Sequence, residues 1–207
     1  MVSLLRQRGI QNPALLQAFS DVPREQFVLP EQLSSAYADS ALPIECGQTI
    51  SQPFIVALMI DAARINPEDH VLEVGTGSGY AAAILSRIAR RVISLERIPE
   101  LADLAQNRLQ AGGYDNVEVK CCDGTLGWPQ AAPYQAILVA AAAPEVPRTL
   151  CDQLTIGGRL IIPAGPDPNH QQLLCVTRTG PQQFKEKILD QVRFVPLIGE
   201  AGWDEED

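Results

Sequence analysis

The sequence predicts an α/β fold, a doubly wound and mostly parallel sheet behind an N-terminal helical extension. Three observations carry that expectation. From residue 70 onward, short apolar runs alternate with helical patterns, as parallel strands joined by crossover helices do. The first run ends in Gly75-Thr76-Gly77-Ser78-Gly79, at the kind of strand-to-helix junction where open α/β sheets bind ligands. Of 207 residues, 46% are hydrophobic and 20% charged, which is ordinary globular composition with enough chain for one substantial core.

The elements follow in order. Leu4, Leu5, Ile10, Leu15, Leu16 and Phe19, broken by Gly9 and Asn12-Pro13, predict two short helices. Residues 21–53 are proline-rich and irregular, and 54–65 return to a helical pattern, so 1–65 form the extension. Strands are expected at 70–74, 92–96, 117–120 and 136–140, with helices at 81–89 and 100–110 between them. Pro144 is expected to open a helix that runs toward Leu154 and stops at Gly157-Gly158. A fifth strand at 159–163 and late ones at 172–178 and 188–192 complete a core over 66–199. One domain, 1–207, is expected, ending in an acidic tail at 200–207.

Charge and cysteine usage narrow the partners. The net charge is −9, and the last eight residues hold five acids and no base, a pattern expected of a solvated end. The body lacks the basic footprint of a nucleic-acid binder, so no nucleic acid is expected. No run approaches the roughly 18 apolar residues that span a bilayer. The first eight residues do not read as a secretory signal. A soluble, cytoplasmic protein is expected. Five cysteines at 46, 121, 122, 151 and 175 form no C-x-x-C, and with His70 and His170 as the two histidines no metal site is expected.

The glycine spacing is G-x-G-x-G, not the G-x-G-x-x-G of dinucleotide enzymes, and no Gly-Lys-Ser/Thr follows. Phosphate is therefore not the evident target. Glu96 ends the second strand, 23 residues after Glu73, where an acid accepts ribose hydroxyls. Asp123-Gly124 follows the third strand, where an acid can accept an exocyclic amine. This set describes an adenosyl ligand without phosphates, S-adenosylmethionine, on a Rossmann-like sheet. The fourth strand ends in Ala140-Ala141-Ala142-Ala143-Pro144-Glu145, without the Asn/Asp-Pro-Pro-Tyr/Phe of DNA adenine methylation. No cysteine follows a proline, as cytosine C5 methylation would need. Ser51, before a helix at Gln52-Pro53, reads from local pattern as a cap or turn residue.

Tyr37-Ala-Asp39, Leu42-Pro-Ile44, Gly47-Gln-Thr-Ile-Ser51-Gln-Pro-Phe54, Val71-Leu-Glu-Val-Gly-Thr-Gly-Ser-Gly-Tyr80, Asp123-Gly124-x-x-Gly127-Trp128, Ala142-Ala-Pro-Glu145 and Arg193-Phe-Val-Pro-Leu197 together resemble the protein-L-isoaspartate (D-aspartate) O-methyltransferase family. The resemblance runs from about residue 20 to residue 199. It departs at Ala140, where the family more usually has Thr, and at Ser40, in a spot often charged. It implies a class I S-adenosylmethionine-dependent methyltransferase that methylates the free α-carboxylate of L-isoaspartyl residues, and D-aspartyl residues in some members. S-adenosyl-L-homocysteine is the implied product, and damaged proteins and peptides are the implied partners. Ser51 is the implied active-site serine. Cofactor contacts fall on Glu73, Gly75, Thr76, Gly77, Ser78, Gly79, Glu96, Arg97, Asp123 and Gly124, and substrate contacts on Ile50, Ser51, Ala140, Ala141, Ala142 and Val195. The alternatives are a relative with a narrower peptide, small-molecule or RNA substrate, and a non-catalytic adenosyl-binding module.

Overall fold

The computed structural model describes residues 1–167 and 169–204. Helices α1 (Val2–Gln7) and α2 (Pro13–Asp21) open the chain. The Asn12 side chain accepts the amides of Ala14 and Leu15, and Pro13 sits where a helix needs no amide donor. Two 3₁₀ turns, Arg24–Phe27 and Pro30–Ser35, follow. Next come β1 (Leu42–Pro43), its antiparallel partner β2 (Thr49–Ile50) and α3 (Pro53–Ala63).

The core alternates as expected: β3 (His70–Val74), α4 (Tyr80–Ser86), β4 (Arg91–Glu96), α5 (Pro99–Ala111), β5 (Val117–Cys121) and β6 (Tyr134–Val139). It continues with α6 (Arg148–Asp152), β7 (Leu154–Ala164), β8 (Gln171–Gly180) and β9 (Gln183–Val192). The sheet order is β5-β4-β3-β6-β7-β8-β9, parallel through β7 and antiparallel beyond it. Strand order reverses between β3 and β6, so the carboxyl ends of those two strands flank the ligand crevice.

Successive strand residues face opposite sides of the sheet, and the core divides accordingly. Val71, Val92 and Leu138 pack with apolar residues of α1 to α5, whereas Leu72, Val74, Ile93 and Ile137 pack with Leu150 and Cys151 of α6 and with Trp128. Each such fully buried aliphatic chain contributes roughly 1.5–3 kcal/mol. The second face is thinly covered because Pro129, Pro133, Pro144 and Pro147 interrupt the connections flanking β6.

Two expectations are corrected here. No helix starts at Pro144: Ala142 and Ala143 bridge to Pro196 and Ala164, Pro147 keeps Val146 out of helical space, and α6 begins only at Arg148. Gly157-Gly158 does not end a helix. It lies within β7, where the pairing with β6 shifts register between Tyr134 and Ala136, and Gly157 takes the left-handed φ of +89°.

The acidic end at 200–207 falls partly outside the described residues. Its described part is not a free solvated tail. Gly199 to Trp203 forms a hook in which the Gly199 amide donates to the Trp203 carbonyl and the Trp203 amide to the Leu197 carbonyl. Among the described residues, no helix is long and apolar enough to cross a membrane.

Candidate active site

The turn after β3 needs its glycines. Gly75, Gly77 and Gly79 have φ values of +92°, +52° and +91°, which side chains rarely tolerate. The amides of Gly75 and Thr76 both reach back to the Leu95 carbonyl at 2.8 and 3.2 Å, which pins the turn against β4. Gly79 has a packing role, since a Cβ there would press on Ala105 and Leu109 of α5.

Two carboxylates flank this turn. Glu96, 5% exposed, accepts the Gly77 amide on Oε2 at 2.9 Å and the Ile98 amide on Oε1 at 3.0 Å. A carboxylate has about four acceptor positions, so each oxygen keeps one for a ligand. Glu73, 1% exposed, accepts the Ser94 hydroxyl at 2.5 Å, and Ser94 Oγ lies 2.6 Å from Thr76 Oγ1. Burial pushes the Glu73 carboxyl up to about 8, against the Ser94 bond and helped by the nearby Glu96 charge.

Ser51 enters from the extension. The β1–β2 ribbon places Ile50 and Ser51 on the cavity wall immediately before α3. Ser51 does not cap α3. Asp39 does so from a distance, accepting the Phe54 amide on Oδ1 at 3.0 Å and the Gln52 side chain on Oδ2 at 2.9 Å. The Ser51 hydroxyl makes no hydrogen bond among the described residues, and its carbonyl accepts from Arg24 at 3.0 Å.

The third wall comes from the end of β6 and from the C-terminal segment. The Ala142 amide donates to the Val195 carbonyl and the Leu197 amide to the Ala142 carbonyl, each at 2.8 Å. Val195, Pro196, Leu197 and Ile198 are thereby laid beside Ala140 and Ala141 on the cavity.

These walls enclose about 380 Å³, within the roughly 300–1,000 Å³ of small-molecule pockets. Of the residues expected at the site, Ile50, Ser51, Glu73, Gly75, Thr76, Gly77, Ser78, Glu96, Arg97, Gly124, Ala140, Ala141 and Val195 line it. Gly79, Asp123 and Ala142 do not. Ala142 is buried, and its backbone holds the C-terminal segment. Asp123 Oδ1 accepts the Thr125 amide and hydroxyl at 2.8 and 2.7 Å, and Oδ2 accepts the Glu200 amide at 2.9 Å. Partial burial works to raise the Asp123 pKa, but these bonds outweigh it and hold the carboxyl below its ordinary range. Among the described residues, no group of three His, Cys, Asp or Glu side chains is gathered as a metal would require.

Sequence reasoning missed Arg24 and the hook, and gave Asp39 and Tyr80 only as parts of the resemblance, without a role. Arg24 and Asp39 sit in aperiodic stretches, where only contacts far along the chain show what they do. Trp203 did carry a signal, an indole inside an acidic run.

Two features suit an adenosyl group: Glu96 has open lone pairs beside a side-chain-free turn, and Gly77 leaves a cradle where a Cβ would meet only Ile44, whereas Gly124 lacks a side chain because a Cβ would press on Val74. On a sheet of this order, that places the protein among the class I S-adenosylmethionine-dependent methyltransferases. The model of the protein-L-isoaspartate(D-aspartate) O-methyltransferase family matches residues 1–202, and the chain belongs to that family.

Relatives agree. The chain is 54% identical over 197 residues to protein-L-isoaspartate O-methyltransferase 2 of Marinobacter nauticus, covering 95% of this chain and 90% of that one. It is 53% identical over 196 residues to the Protochlamydia amoebophila protein-L-isoaspartate O-methyltransferase, covering 95% and 93%. A solved protein-L-isoaspartate O-methyltransferase superposes with a TM-score of 0.86 at 30% identity, covering 97% of this chain and 66% of that one. A Plasmodium falciparum structure, assigned as a protein-L-isoaspartate O-methyltransferase and solved in complex with S-adenosyl-L-homocysteine, gives 0.82 at 25% identity, covering 95% and 96%.

Proposed function

We propose that this protein transfers a methyl group from S-adenosylmethionine to the free α-carboxylate of L-isoaspartyl residues in damaged proteins and peptides. The observation that carries this reading is the Ser51 hydroxyl, without a hydrogen-bond partner among the described residues, on the wall of a cavity that Glu96 and the glycine turn equip for an adenosyl group. S-adenosylmethionine, when bound, supplies a methyl group already activated on a sulfonium.

In an isoaspartyl linkage the chain runs through the side chain, so the free acid is an α-carboxyl with reference pKa about 3.3–3.7. It is an anion at neutral pH and needs no general base. What the chain supplies is position and dryness. Ser51 donates to one carboxylate oxygen and leaves the other free to attack. Ile50, Ala140, Ala141 and Val195 form the wall that excludes water from it. Glu96 would hold the ribose hydroxyls. Carboxylate oxygen bonds to the methyl carbon as the carbon–sulfur bond breaks, and the sulfur leaves as a neutral thioether. In the ester, the following backbone nitrogen can displace methanol and close a succinimide, from which hydrolysis can restore a normal linkage.

A net charge of −9 favours a peptide over a nucleic-acid acceptor. Five free cysteines fit a reducing, cytoplasmic setting. The test is transfer of label from methyl-labelled S-adenosylmethionine to an isoaspartyl peptide. A base-labile product that releases labelled methanol supports carboxyl methylation. Label that survives mild base, as an N- or C-methyl group would, overturns it.

A further inference from the structure

Arg24 is fully buried, yet every hydrogen-bond partner of its guanidinium is a neutral carbonyl. Nη1 donates to Ala36 O at 2.6 Å and Ala38 O at 3.3 Å, and Nη2 to Ser40 O at 3.1 Å and Ser51 O at 3.0 Å. Nε has no partner among the described residues. Taking a guanidinium out of water without a bonded carboxylate carries a large desolvation penalty, and an apolar side chain of like volume is often the more stable choice. The Asp39 carboxylate and the Tyr80 ring offset part of that penalty without bonding the guanidinium. What sets Arg24 apart is its rigid fork, which ties four carbonyls into one arrangement as a lysine point charge cannot.

That arrangement ends on Ser51. Arg24 holds the Ser51 carbonyl from one side. From the other, the loop that Arg24 gathers at 36–40 presents Asp39, whose backbone carbonyl and Oδ2 each accept the Gln52 side chain at 2.9 Å while Oδ1 accepts the Phe54 amide. The Ser51 carbonyl and the neighbouring Gln52 side chain are thus held from opposite sides, while the Ser51 hydroxyl has no hydrogen-bond partner among the described residues. The direction of that hydroxyl depends on the backbone that carries it. The Arg24 guanidinium also lies 5.6 Å from the ring of Tyr80, which opens the helix after the glycine turn and lines the same cavity.

Resting on the reading of Ser51 as the carboxylate-orienting hydroxyl, we propose that Arg24 is a positioning residue for methyl transfer, acting through the Ser51 carbonyl, with Asp39 as the other half of the clamp. Arg24 makes no hydrogen bond to the glycine turn or to Glu96, so cofactor affinity serves as the control.

The test is a double-mutant cycle of Arg24→Lys and Ser51→Ala, read as kcat on an isoaspartyl peptide, with S-adenosylhomocysteine affinity by calorimetry as the control. Arg24→Lys should lower kcat about tenfold or more, as misplacing a reacting group does. Its S-adenosylhomocysteine affinity should stay within about threefold, as expected where Arg24 shares no hydrogen bond with those residues. In the Ser51→Ala background the same change should cost less than about twofold, since residues that act as a unit are not additive. If Ser51→Ala is impaired but the two losses multiply, the proposal falls and the reading of Ser51 stands. If Ser51→Ala turns over normally, the reading of Ser51 fails and takes the proposal with it. Should Arg24→Lys not fold, Asp39→Asn replaces it in the cycle. It sets an amide donor against the Gln52 side chain and against Arg8, whose Nη1 donates to Asp39 Oδ2 at 2.7 Å, and the same non-additivity is expected, with multiplying losses again overturning the proposal.

Discussion

The Phe54 amide donates to Oδ1 of Asp39 at 3.0 Å, so the first turn of α3 is capped by a residue 15 positions earlier in the chain. Ser51 is thereby released from the capping role that its place before a helix suggests. Ser51→Ala should leave stability within about 0.5 kcal/mol, as at sites without a special contact. It should lower kcat/KM for an isoaspartyl peptide about tenfold or more, because a hydrogen bond to a charged group contributes about 1.5–3 kcal/mol. Thermal melts beside peptide kinetics check this, and a destabilised variant with normal turnover would return Ser51 to the cap.

Glu96 serves the turn and the ligand together. Glu96→Ala removes the acceptor for the Gly77 and Ile98 amides as well as the ribose partner. S-adenosylhomocysteine should bind at least about tenfold more weakly, the equivalent of one charge-assisted bond. Glu96→Gln, which keeps one acceptor oxygen, should lose less. Calorimetry giving wild-type affinity for a folded Glu96→Ala protein would remove Glu96 from the site.

Glu73 gives stability a pH dependence whose sign is fixed. Its folded pKa is raised to about 8, above a reference of about 4.3, so between these values the folded state binds the extra proton. Stability from this group is complete below about pH 4 and is lost as pH rises toward 8. Thermal melts from pH 5 to 9 should show that decline in the wild type and a flatter profile in Glu73→Gln. Identical slopes in the two proteins would contradict the burial of an unpaired carboxyl.

Asp123 links the end of β5 to the hook. Its folded pKa is depressed, so its contribution is present above about pH 4, the unfolded value, and is lost as pH falls through the folded one. Asp123→Ala should cost about 1–2 kcal/mol at neutral pH through the lost amide and hydroxyl bonds. It should also free the indole of Trp203, which donates to the Ala142 carbonyl at 2.9 Å. Trp203 fluorescence, isolated by Trp128→Phe, should shift to the red in Asp123→Ala at pH 7. An unshifted spectrum would mean that the hook holds without Asp123.

Much of the fold was legible because its signals are local. Short apolar runs mark β3 to β6, and the left-handed turn after β3 leaves three glycines that little else explains. The helix expected from Pro144 failed because pairing of Ala142 with Pro196 and of Ala143 with the end of β7 overrode a helical pattern. The docked hook was hidden for a related reason. Its acids suggested solvent, whereas the groups that hold it are backbone amides at 200 and 201 and one indole. At the site, glycines and Glu96 could be read from spacing, but the direction of a carboxylate could not. Asp123 turns away from the cavity because Thr125 and Glu200 offer it three donors. Arg24 gave no periodic sign, since its partners lie 12 to 27 residues away.

The central claim is that the cavity selects a free α-carboxylate beside an isoaspartyl linkage. The most direct measurement is methyl ester formation on one peptide prepared in its isoaspartyl and normal aspartyl forms, followed from about pH 5.5 to 7, above the α-carboxyl range and below the pH at which Glu73 titrates. The account predicts ester on the isoaspartyl peptide, little or none on the aspartyl one, and a nearly flat kcat/KM across that interval. Equal methylation of both forms, or a steep rise toward pH 7 that shows a proton must first be removed, would contradict it.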